Sequence, residues 1–209
     1  MAGVPIGILA LQGDFAEHRA VFARLGVDAT EVRLPDQLAG LAGLVIPGGE
    51  STTISRLMGE YGLLEPLRGL AADGLPVWGT CAGLVLLARW APDLDRPGRA
   101  LIDMEAGRTA FARQEHRFEA DLEAPAQGPP PFRAVFIRAP LIREVGPGVE
   151  VLARLDDGTV VAARQGNLLA TAFHPELTED MRFHRYFVEM VAARDGHAAA
   201  LPAASGNLP

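Results

Sequence analysis

The segment with the strongest chemical signature surrounds the only cysteine of the chain. Cys81 lies at the centre of Gly79-Thr80-Cys81-Ala82-Gly83, between a short apolar run and a longer apolar segment. In a strand–nucleophile–helix turn the nucleophile is strained, so the residues two positions away on each side must be small. The following helix directs N–H groups at the sulfur, which favours a thiolate and suits an oxyanion. A buried, inert cysteine is the alternative, and the paired glycines favour the nucleophile.

A candidate general base lies near the end of the chain. His174 and Glu176 flank Pro175, after a run that predicts a strand. Because residues i and i+2 of an extended segment point the same way, Glu176 can orient the His174 ring and stabilise its charged form. Together with the cysteine they make a nucleophile, base and orienting carboxylate. The remaining histidines lack such a setting and are interpreted as surface or packing residues: His18, His116, His184 and His197.

A glycine-rich turn is the third candidate element. Pro47-Gly48-Gly49-Glu50-Ser51 follows a predicted strand and precedes a predicted helix. The backbone N–H groups that such a turn exposes suit an anion or an oxyanion. An ordinary tight turn, with Ser51 as the N-cap of the helix, explains the segment equally well.

The composition is that of one soluble, acidic domain. The chain has 209 residues, 49% of them hydrophobic, and a net charge of −7, which argues against nucleic acid or an anionic membrane as a partner. All 19 basic residues are arginine, so Schiff-base chemistry and a lysine-containing phosphate loop are excluded. A single cysteine allows no internal disulfide, which fits a cytoplasmic location. No apolar run is long enough to predict a membrane span.

Strand and helix signals alternate through the first half of the chain. Apolar runs predict buried strands at 6–11, 29–34, 41–46 and 75–78, with helices at 51–61, 64–72 and 84–90. Asp14 is the expected cap of a further helix, in which Phe15 and Phe22 recur at helical spacing. The alternation predicts an α/β fold of the flavodoxin-like class, a three-layer sandwich with a mostly parallel central sheet and helices on both faces.

The pattern of predicted elements changes in the second half of the chain. Shorter strands joined by turns are expected at 120–123, 134–137, 149–154, 160–164 and 168–173, with hairpin signals at 157–158 and 166–167. These signals predict a mixed sheet in this half, closed by a helix at 179–193. Residues 1–194 therefore form one predicted domain, and the alanine-, glycine- and proline-rich segment 195–209 is expected to be a flexible tail.

Six segments together resemble the class I, or triad, glutamine amidotransferases, and among them the glutaminase subunits of pyridoxal 5'-phosphate synthases. Their order and spacing both match, and the resemblance covers nearly the whole chain. The segments are Leu9-Ala10-Leu11-Gln12-Gly13-Asp14, Pro47-Gly48-Gly49-Glu50-Ser51-Thr52-Thr53, Gly79-Thr80-Cys81-Ala82-Gly83-Leu84, Val135-Phe136-Ile137-Arg138-Ala139-Pro140, Arg164-Gln165-Gly166-Asn167 and Phe173-His174-Pro175-Glu176-Leu177.

The resemblance implies a catalytic role for each candidate. Cys81 would attack the side-chain amide of glutamine, His174 would transfer the proton and Glu176 would orient it. Backbone N–H groups of Gly49 and Ala82 would bind the oxyanion. No cofactor and no metal are expected. The residues implied around the bound L-glutamine are Gly48, Gly49, Glu50, Arg108, Ile137 and Arg138.

The resemblance also implies a partner. Ammonia would pass to a separate synthase subunit in a large hetero-oligomer, with Gln12 in the face toward that subunit. Thr109 and Ala112 depart from the family pattern, which has asparagine and glycine there, whereas the triad residues match it. Two other functions remain open: a glutaminase serving another synthase, or a non-catalytic flavodoxin-like binding or stress protein.

Overall fold

The computed structural model describes residues 5–91, 101–107, 117–124 and 128–194. Arg108, the departures at Thr109 and Ala112, and the predicted tail 195–209 lie outside the described residues. Within these ranges no helix is long and apolar enough to cross a bilayer.

The helices are α1 Phe15–Arg24, α2 Ser51–Glu60, α3 Leu64–Ala72, α4 Ala82–Leu87 and α5 Arg182–Arg194, with short 3-10 turns at Pro35–Leu38 and Pro175–Leu177. The strands are β1 Ile6–Leu9, β2 Ala29–Val32, β3 Gly43–Ile46, β4 Val77–Thr80, β5 Ala88–Trp90, β6 Ile102–Gly107, β7 Arg117–Leu122, β8 Phe132–Ile137, β9 Leu141–Val145, β10 Glu150–Arg154, β11 Val160–Gln165 and β12 Leu168–Thr171.

The main sheet is mixed, and the first strands of the chain form its parallel half. Its strand order is β2-β1-β3-β4-β12-β11-β9-β6-β5, with β10 paired to β11, while β7 and β8 form a separate ribbon. β1 pairs in parallel with β2 and β3, and β4 pairs in parallel with β3 and β12. The chain runs outward to β2 and returns to β3. β1 and β3 therefore flank a switch point, where open α/β sheets bind their ligands.

Helices cover both faces of the parallel half. The β1-to-β2 and β3-to-β4 connections run in opposite directions across the sheet, so right-handed crossovers place their helices on opposite faces. α1 packs against α5 on one face, where Phe22 meets His184 edge to face. α2, α3 and α4 pack together on the other face and leave an apolar gap of about 10 Å³, too small for a ligand. The predicted flavodoxin-like three-layer sandwich is confirmed.

The predicted elements differ from the structure mainly at their ends. α3 has its predicted bounds, and the turns at 157–158 and 166–167 join antiparallel strands as expected. The predicted helix 84–90 is wrong at its end, because α4 stops at Leu87 and Ala88–Trp90 pairs with β6. The sequence signals also miss β6 and β9. Adjacent charges in β9, Arg143 and Glu144, obscure its strand pattern, and Arg143 pairs with Glu105 on β6.

Two glycines let α4 lie directly against the ends of β3 and β4. A Cβ on Gly79 would overlap the carbonyl group of Gly83, and a Cβ on Gly83 would overlap the carbonyl oxygen of Ile46. These neighbours are backbone atoms, which cannot rotate away as the end of a flexible side chain can. The small residues around the cysteine therefore serve the packing of helix on strand as well as the turn itself.

We predict that Gly83→Ala lowers the free energy of unfolding by about 2–3 kcal/mol, because the added methyl group must displace the backbone of β3. The matched control is Gly69→Ala in α3, where an added Cβ meets nothing within 4 Å. That substitution should instead stabilise the protein by about 0.5–1 kcal/mol through helix propensity. Urea denaturation of the two variants measures both effects. Equal stabilities would contradict the close packing of α4.

Candidate active site

The loops that carry the predicted site residues leave four adjacent strands at one edge of the sheet. β1, β3, β4 and β12 are neighbours in that order and all are parallel. The loops after them carry Gln12, Gly49, Cys81 and His174 respectively. Because β12 pairs directly with β4, the histidine from the end of the chain is brought beside the cysteine. The carboxyl edge of the parallel sheet therefore assembles the site from four distant segments.

Cys81 occupies a strained turn between β4 and α4. Its φ of +46° is left-handed, a conformation that costs a non-glycine residue about 1–3 kcal/mol. Arg138, with a φ of +45°, is the other such residue in the described ranges. Both border the same cavity. The Cys81 N–H donates to Thr171 O at 2.8 Å, which ties the turn to the end of β12, and Sγ lies 3.8 Å from Ile137 O.

His174 and Glu176 form a buried pair on the turn after β12. His174 Nδ1 lies 2.8 Å from Glu176 Oε1. Pro175 begins the short 3-10 turn that holds the carboxylate against the ring. The backbone N–H of His174 donates to the carbonyl oxygen of Val135 at 2.8 Å, so β8 also positions this turn. The other ring nitrogen, Nε2, makes no hydrogen bond to any described atom, which leaves it for chemistry.

Asp14 contributes a second carboxylate to the same ring nitrogen. Its Oδ2 lies 3.3 Å from His174 Nδ1, and its side chain does not cap α1. The prediction of Asp14 as a side-chain N-cap is therefore wrong. Burial acts to lower the pKa of His174, but interactions with Asp14, Cys81 and Glu176 outweigh it and raise the pKa well above its usual value. A positively charged imidazole is thus favoured beside the thiol, which is the charge state that stabilises a thiolate.

The same three residues have the donor chemistry of a metal site. One ligand atom each from Asp14, His174 and Glu176 lies within 4.8 Å of the others. The histidine nitrogen that faces both carboxylates is Nδ1, and its short contact with Glu176 needs a proton there. A metal ion on Nδ1 would remove that proton. Metal binding and an orienting His–Glu pair are therefore competing uses of this cluster.

The glycine-rich turn after β3 packs against the histidine. A Cβ on Gly48 would lie 2.5 Å from His174 Cε1, so only glycine fits there. The Gly48 carbonyl accepts a hydrogen bond from the Asp14 N–H at 3.1 Å. The Glu50 N–H donates to Gln12 Oε1 at 2.7 Å. Both contacts come from the loop after β1, which therefore sets the orientation of the peptides in this turn.

Glu50, rather than Ser51, caps the helix that follows this turn. The Glu50 carboxylate accepts hydrogen bonds from the N–H groups of Thr52 and Thr53 at 3.2 and 2.7 Å. Partial burial acts to raise the pKa of Glu50, but the hydrogen bonds with Thr53 and Thr52 outweigh it and lower the pKa to about 2. The interpretation of Ser51 as N-cap is therefore wrong. Glu50 is anionic at neutral pH and stands at the rim of the cavity.

These segments enclose a cavity of about 530 Å³, a size typical of small-molecule sites. Ile137 and Arg138 form its opposite wall; Ile137 is the last residue of β8 in the separate ribbon, and Arg138 follows it. Gly48 and Glu176 stand behind the lining, in contact with His174, and Arg108 is outside the described residues. The predicted residues that line the cavity are Gln12, Gly49, Glu50, Cys81, Ala82, Ile137, Arg138 and His174.

Two histidines to which the sequence motifs do not point are buried behind the site. His18 on α1 and His184 on α5 are fully buried, so of the two expectations for them, surface or packing, packing is the correct one. His18 Nδ1 lies 2.9 Å from His184 Nε2, and His18 Nε2 lies 3.3 Å from Glu176 Oε2. The usable signal was spacing, since His18 is one helical turn beyond Asp14 and therefore shares its face.

The family model described as the SNO glutamine amidotransferase family matches residues 8–193. The chain belongs to this family. Two relatives are named pyridoxal 5'-phosphate synthase subunit PdxT. The protein of Moorella thermoacetica is 57% identical over 186 residues, which cover 89% of this chain and 98% of that protein. The protein of Carboxydothermus hydrogenoformans is 54% identical over 186 residues, or 89% and 97% of the two chains. The predicted resemblance is confirmed.

Solved structures agree with this assignment. A crystal structure described as glutamine amidotransferase matches with a TM-score of 0.85 and 48% identity, and the match covers 91% of this chain and 100% of that one. A putative GMP synthase subunit from Thermoplasma acidophilum matches with a TM-score of 0.68 at 18% identity, covering 94% and 98% of the two chains. At that identity the likeness concerns the fold alone.

The buried histidines predict a pH dependence of stability. Burial lowers the pKa of His18 from 6.5 to about 4, against an opposing effect of Glu176. Burial, assisted by Arg24, lowers the pKa of His184 to about 3. Below about pH 6.5 the unfolded chain therefore binds protons that the folded chain does not. Each histidine then removes up to about 1.4 kcal/mol of stability per pH unit as the pH falls toward the folded pKa.

The variant His184→Gln should flatten this dependence, because it removes one of the two titrations. Urea denaturation of the wild type and the variant between about pH 6.5 and about pH 4 gives the two slopes, and the difference isolates His184 from the carboxylates common to both. Parallel curves would show that His184 is not held neutral in the folded protein.

Proposed function

We propose that the chain hydrolyses L-glutamine to glutamate and ammonia through Cys81, His174 and Glu176. The observation that carries the proposal is the meeting of a strained cysteine with a buried His–Glu pair at the wall of one cavity. The family to which the chain belongs supports the choice of glutamine as the substrate. The domain is proposed to span 1–194.

The first half of the reaction forms a thioester and releases ammonia. The Cys81 thiolate attacks the side-chain amide carbon of glutamine, and the electron pair of the C=O bond moves to oxygen. N–H groups of Gly49 and Ala82 bind this oxyanion. His174 Nε2 gives its proton to the amide nitrogen as the C–N bond breaks, so the leaving group departs as ammonia.

The second half regenerates the resting charges. Neutral His174 Nε2 removes a proton from a water molecule as the water oxygen attacks the thioester carbon. Collapse of this intermediate breaks the C–S bond, releases glutamate and returns the thiolate beside an imidazolium. Glu176 holds the proton on Nδ1 through both halves, so that Nε2 is always the nitrogen that exchanges protons.

Charged groups around the cavity suit a zwitterionic amino acid. Arg138 and the anionic Glu50 stand on its walls, and we propose that they and Arg108 contact the α-carboxylate and α-ammonium groups. Ile137 and the glycines Gly48 and Gly49 would shape the space around the side-chain amide. The combination of carboxylates and an arginine on the walls matches glutamine better than it matches a simple dicarboxylate.

We further propose that the ammonia serves pyridoxal 5'-phosphate synthesis. Relatives more than half identical over nearly their full length are named as subunits of that synthase. The chain has no lysine, so the carbonyl chemistry of such a synthesis must belong to another chain. A large cytoplasmic hetero-oligomer with that synthase chain follows from the proposal, without a cofactor or metal on the chain described here.

We predict that Cys81→Ser and His174→Asn each abolish glutamine hydrolysis, because members of a triad act as a unit. Glu176→Gln should lose less activity, since nucleophile and base both remain. Steady-state ammonia release measures the rates, and thermal unfolding controls for the fold. A glutamine-analogue electrophile should label the wild type once, at its only cysteine. Activity close to that of the wild type in His174→Asn would exclude the mechanism.

The oxyanion turn is the place where a partner would control the activity. The Gly48–Gly49 peptide is held by the Asp14 N–H, and the next N–H is held by Gln12. A Gly-Gly peptide rotates at little steric cost, and one oxyanion donor is worth about 3 kcal/mol, or about a hundredfold in rate. Docking near Gln12 can therefore switch hydrolysis on by selecting one peptide orientation.

We predict that the chain alone is a poor glutaminase and that adding the synthase subunit raises the rate about a hundredfold. Gln12→Ala should still bind the synthase subunit but respond weakly to it. Gln37→Ala is the matched control, because the Gln37 side chain accepts hydrogen bonds from the N–H groups of Arg33 and Leu34, away from the cavity. A flat rate while a complex forms would rule out activation by the partner.

A further inference from the structure

The triad carboxylate has a second oxygen that the proposed reaction does not use. Glu176 Oε2 is buried and has no hydrogen bond within the described ranges. Leaving one oxygen of a buried carboxylate unsatisfied is costly. The polar atom that faces it is His18 Nε2, at 3.3 Å, and both side chains are fully enclosed. The same Nε2 lies 3.2 Å from Thr80 Oγ1, so it stands between a hydroxyl and a carboxylate.

The contacts of His18 determine which of its nitrogens carries the proton. A lone pair on Nε2 would face the carboxylate of Glu176 and be repelled, whereas an N–H there is attracted. His18 Nδ1 must then accept, so the proton of the 2.9 Å contact with His184 comes from His184 Nε2. His184 Nδ1 is left as a bare acceptor, buried without a hydrogen bond in the described part of the chain. A buried acceptor without a hydrogen bond is more common in proteins than a buried donor without one.

The surroundings keep this pair neutral and dry. The Trp78 ring packs edge-on against both His18 and His184, with centroids 5.5 and 4.9 Å away, and Phe22 packs edge-on against His184. The charged or titratable groups that face the pair are Glu176, His174 and Asp14 near His18, and Arg24 near His184. A neutral imidazole with a fixed tautomer is a dipole, and with its proton on Nε2 the positive end of the His18 dipole lies 3.3 Å from the carboxylate.

We infer that His18 is a positioning residue for the triad: its Nε2–H lies against Glu176 Oε2 and attracts it electrostatically, so that Oε1 stays on His174 Nδ1, and His184 fixes the tautomer of His18. The inference rests on the proposed function only for its effect on rate. The order runs in one direction: His184 donates to His18, the Nε2–H of His18 faces Glu176 Oε2, and Glu176 Oε1 accepts from His174. Loss of the His18 N–H leaves the anion of Glu176 unsupported and thereby destabilises the His174 imidazolium.

Three substitutions separate this role from packing. His18→Gln places an amide N–H where His18 Nε2 stands and keeps the contact with Glu176. His18→Asn has a similar polarity, but its amide reaches only the position of Nδ1. His18→Leu removes both contacts and keeps the volume. A residue that only fills space would tolerate leucine best, whereas a positioning residue is rescued by glutamine alone.

The first readout is alkylation of Cys81 by iodoacetamide as a function of pH. Cys81 is the only cysteine, so the rate reports the thiolate–imidazolium pair directly. His18→Asn and His18→Leu should move the midpoint of the pH profile upward by about one pH unit or more, and His18→Gln by less than half as much. In the complex with the synthase subunit, the kcat for glutamine should fall about tenfold or more in the first two variants, with KM little changed. Equal profiles in the glutamine and asparagine variants would overturn the inference.

The second readout uses the wild-type protein, so it does not depend on whether a variant folds. Nitrogen-15 NMR of histidine-labelled wild-type protein distinguishes the two neutral tautomers, and His18 and His184 should both carry the proton on Nε2. A proton on His18 Nδ1 would overturn the inference. Absence of glutamine hydrolysis in the wild-type complex would count against the proposed function alone, because the alkylation and NMR results do not depend on glutamine.

Discussion

The burial of a charged imidazole beside a carboxylate is the interaction on which the rest of the site depends. A buried charge is tolerated only when a partner is close and well oriented, and removing one partner from such a pair typically costs about 3–5 kcal/mol. His174 meets this condition through Glu176 on its own turn and Asp14 from the loop after β1. The requirement extends outward, because Gly48 must lack a side chain for the ring to fit.

The strained cysteine depends on contacts of another kind. A left-handed turn at Cys81 persists because backbone packs on backbone around it, with Gly79 against Gly83 and Gly83 against Ile46. The hydrogen bond from the Cys81 N–H to Thr171 joins this turn to β12, the strand that leads to His174. Cys81 and His174 are therefore held by one pair of adjacent strands, and a shift of either strand would move both.

The two halves of the chain supply different parts of the cavity. The parallel half contributes Cys81, the glycine turn and the loop after β1. The β7–β8 ribbon contributes the opposite wall through Ile137 and the strained Arg138, and it supports the histidine turn through Val135. The walls of the cavity are thus built by separate segments, which meet only in the folded protein.

Features that depend on a few consecutive residues could be predicted from the amino-acid sequence alone. The cysteine turn needs small neighbours, His174 and Glu176 face one way across a proline, and alternating apolar runs specify the α/β class; all of these are properties of a few consecutive residues. Contacts between distant segments could not be predicted in this way and become visible only in the folded protein. Asp14 occupies the N-cap position of α1, yet its side chain faces His174. The four-residue spacing places His18 on the same side as Asp14, but no local pattern indicates that His18 or His184 lies behind Glu176. The physical reason is that β12 pairs with β4, and no local pattern encodes which strands become neighbours.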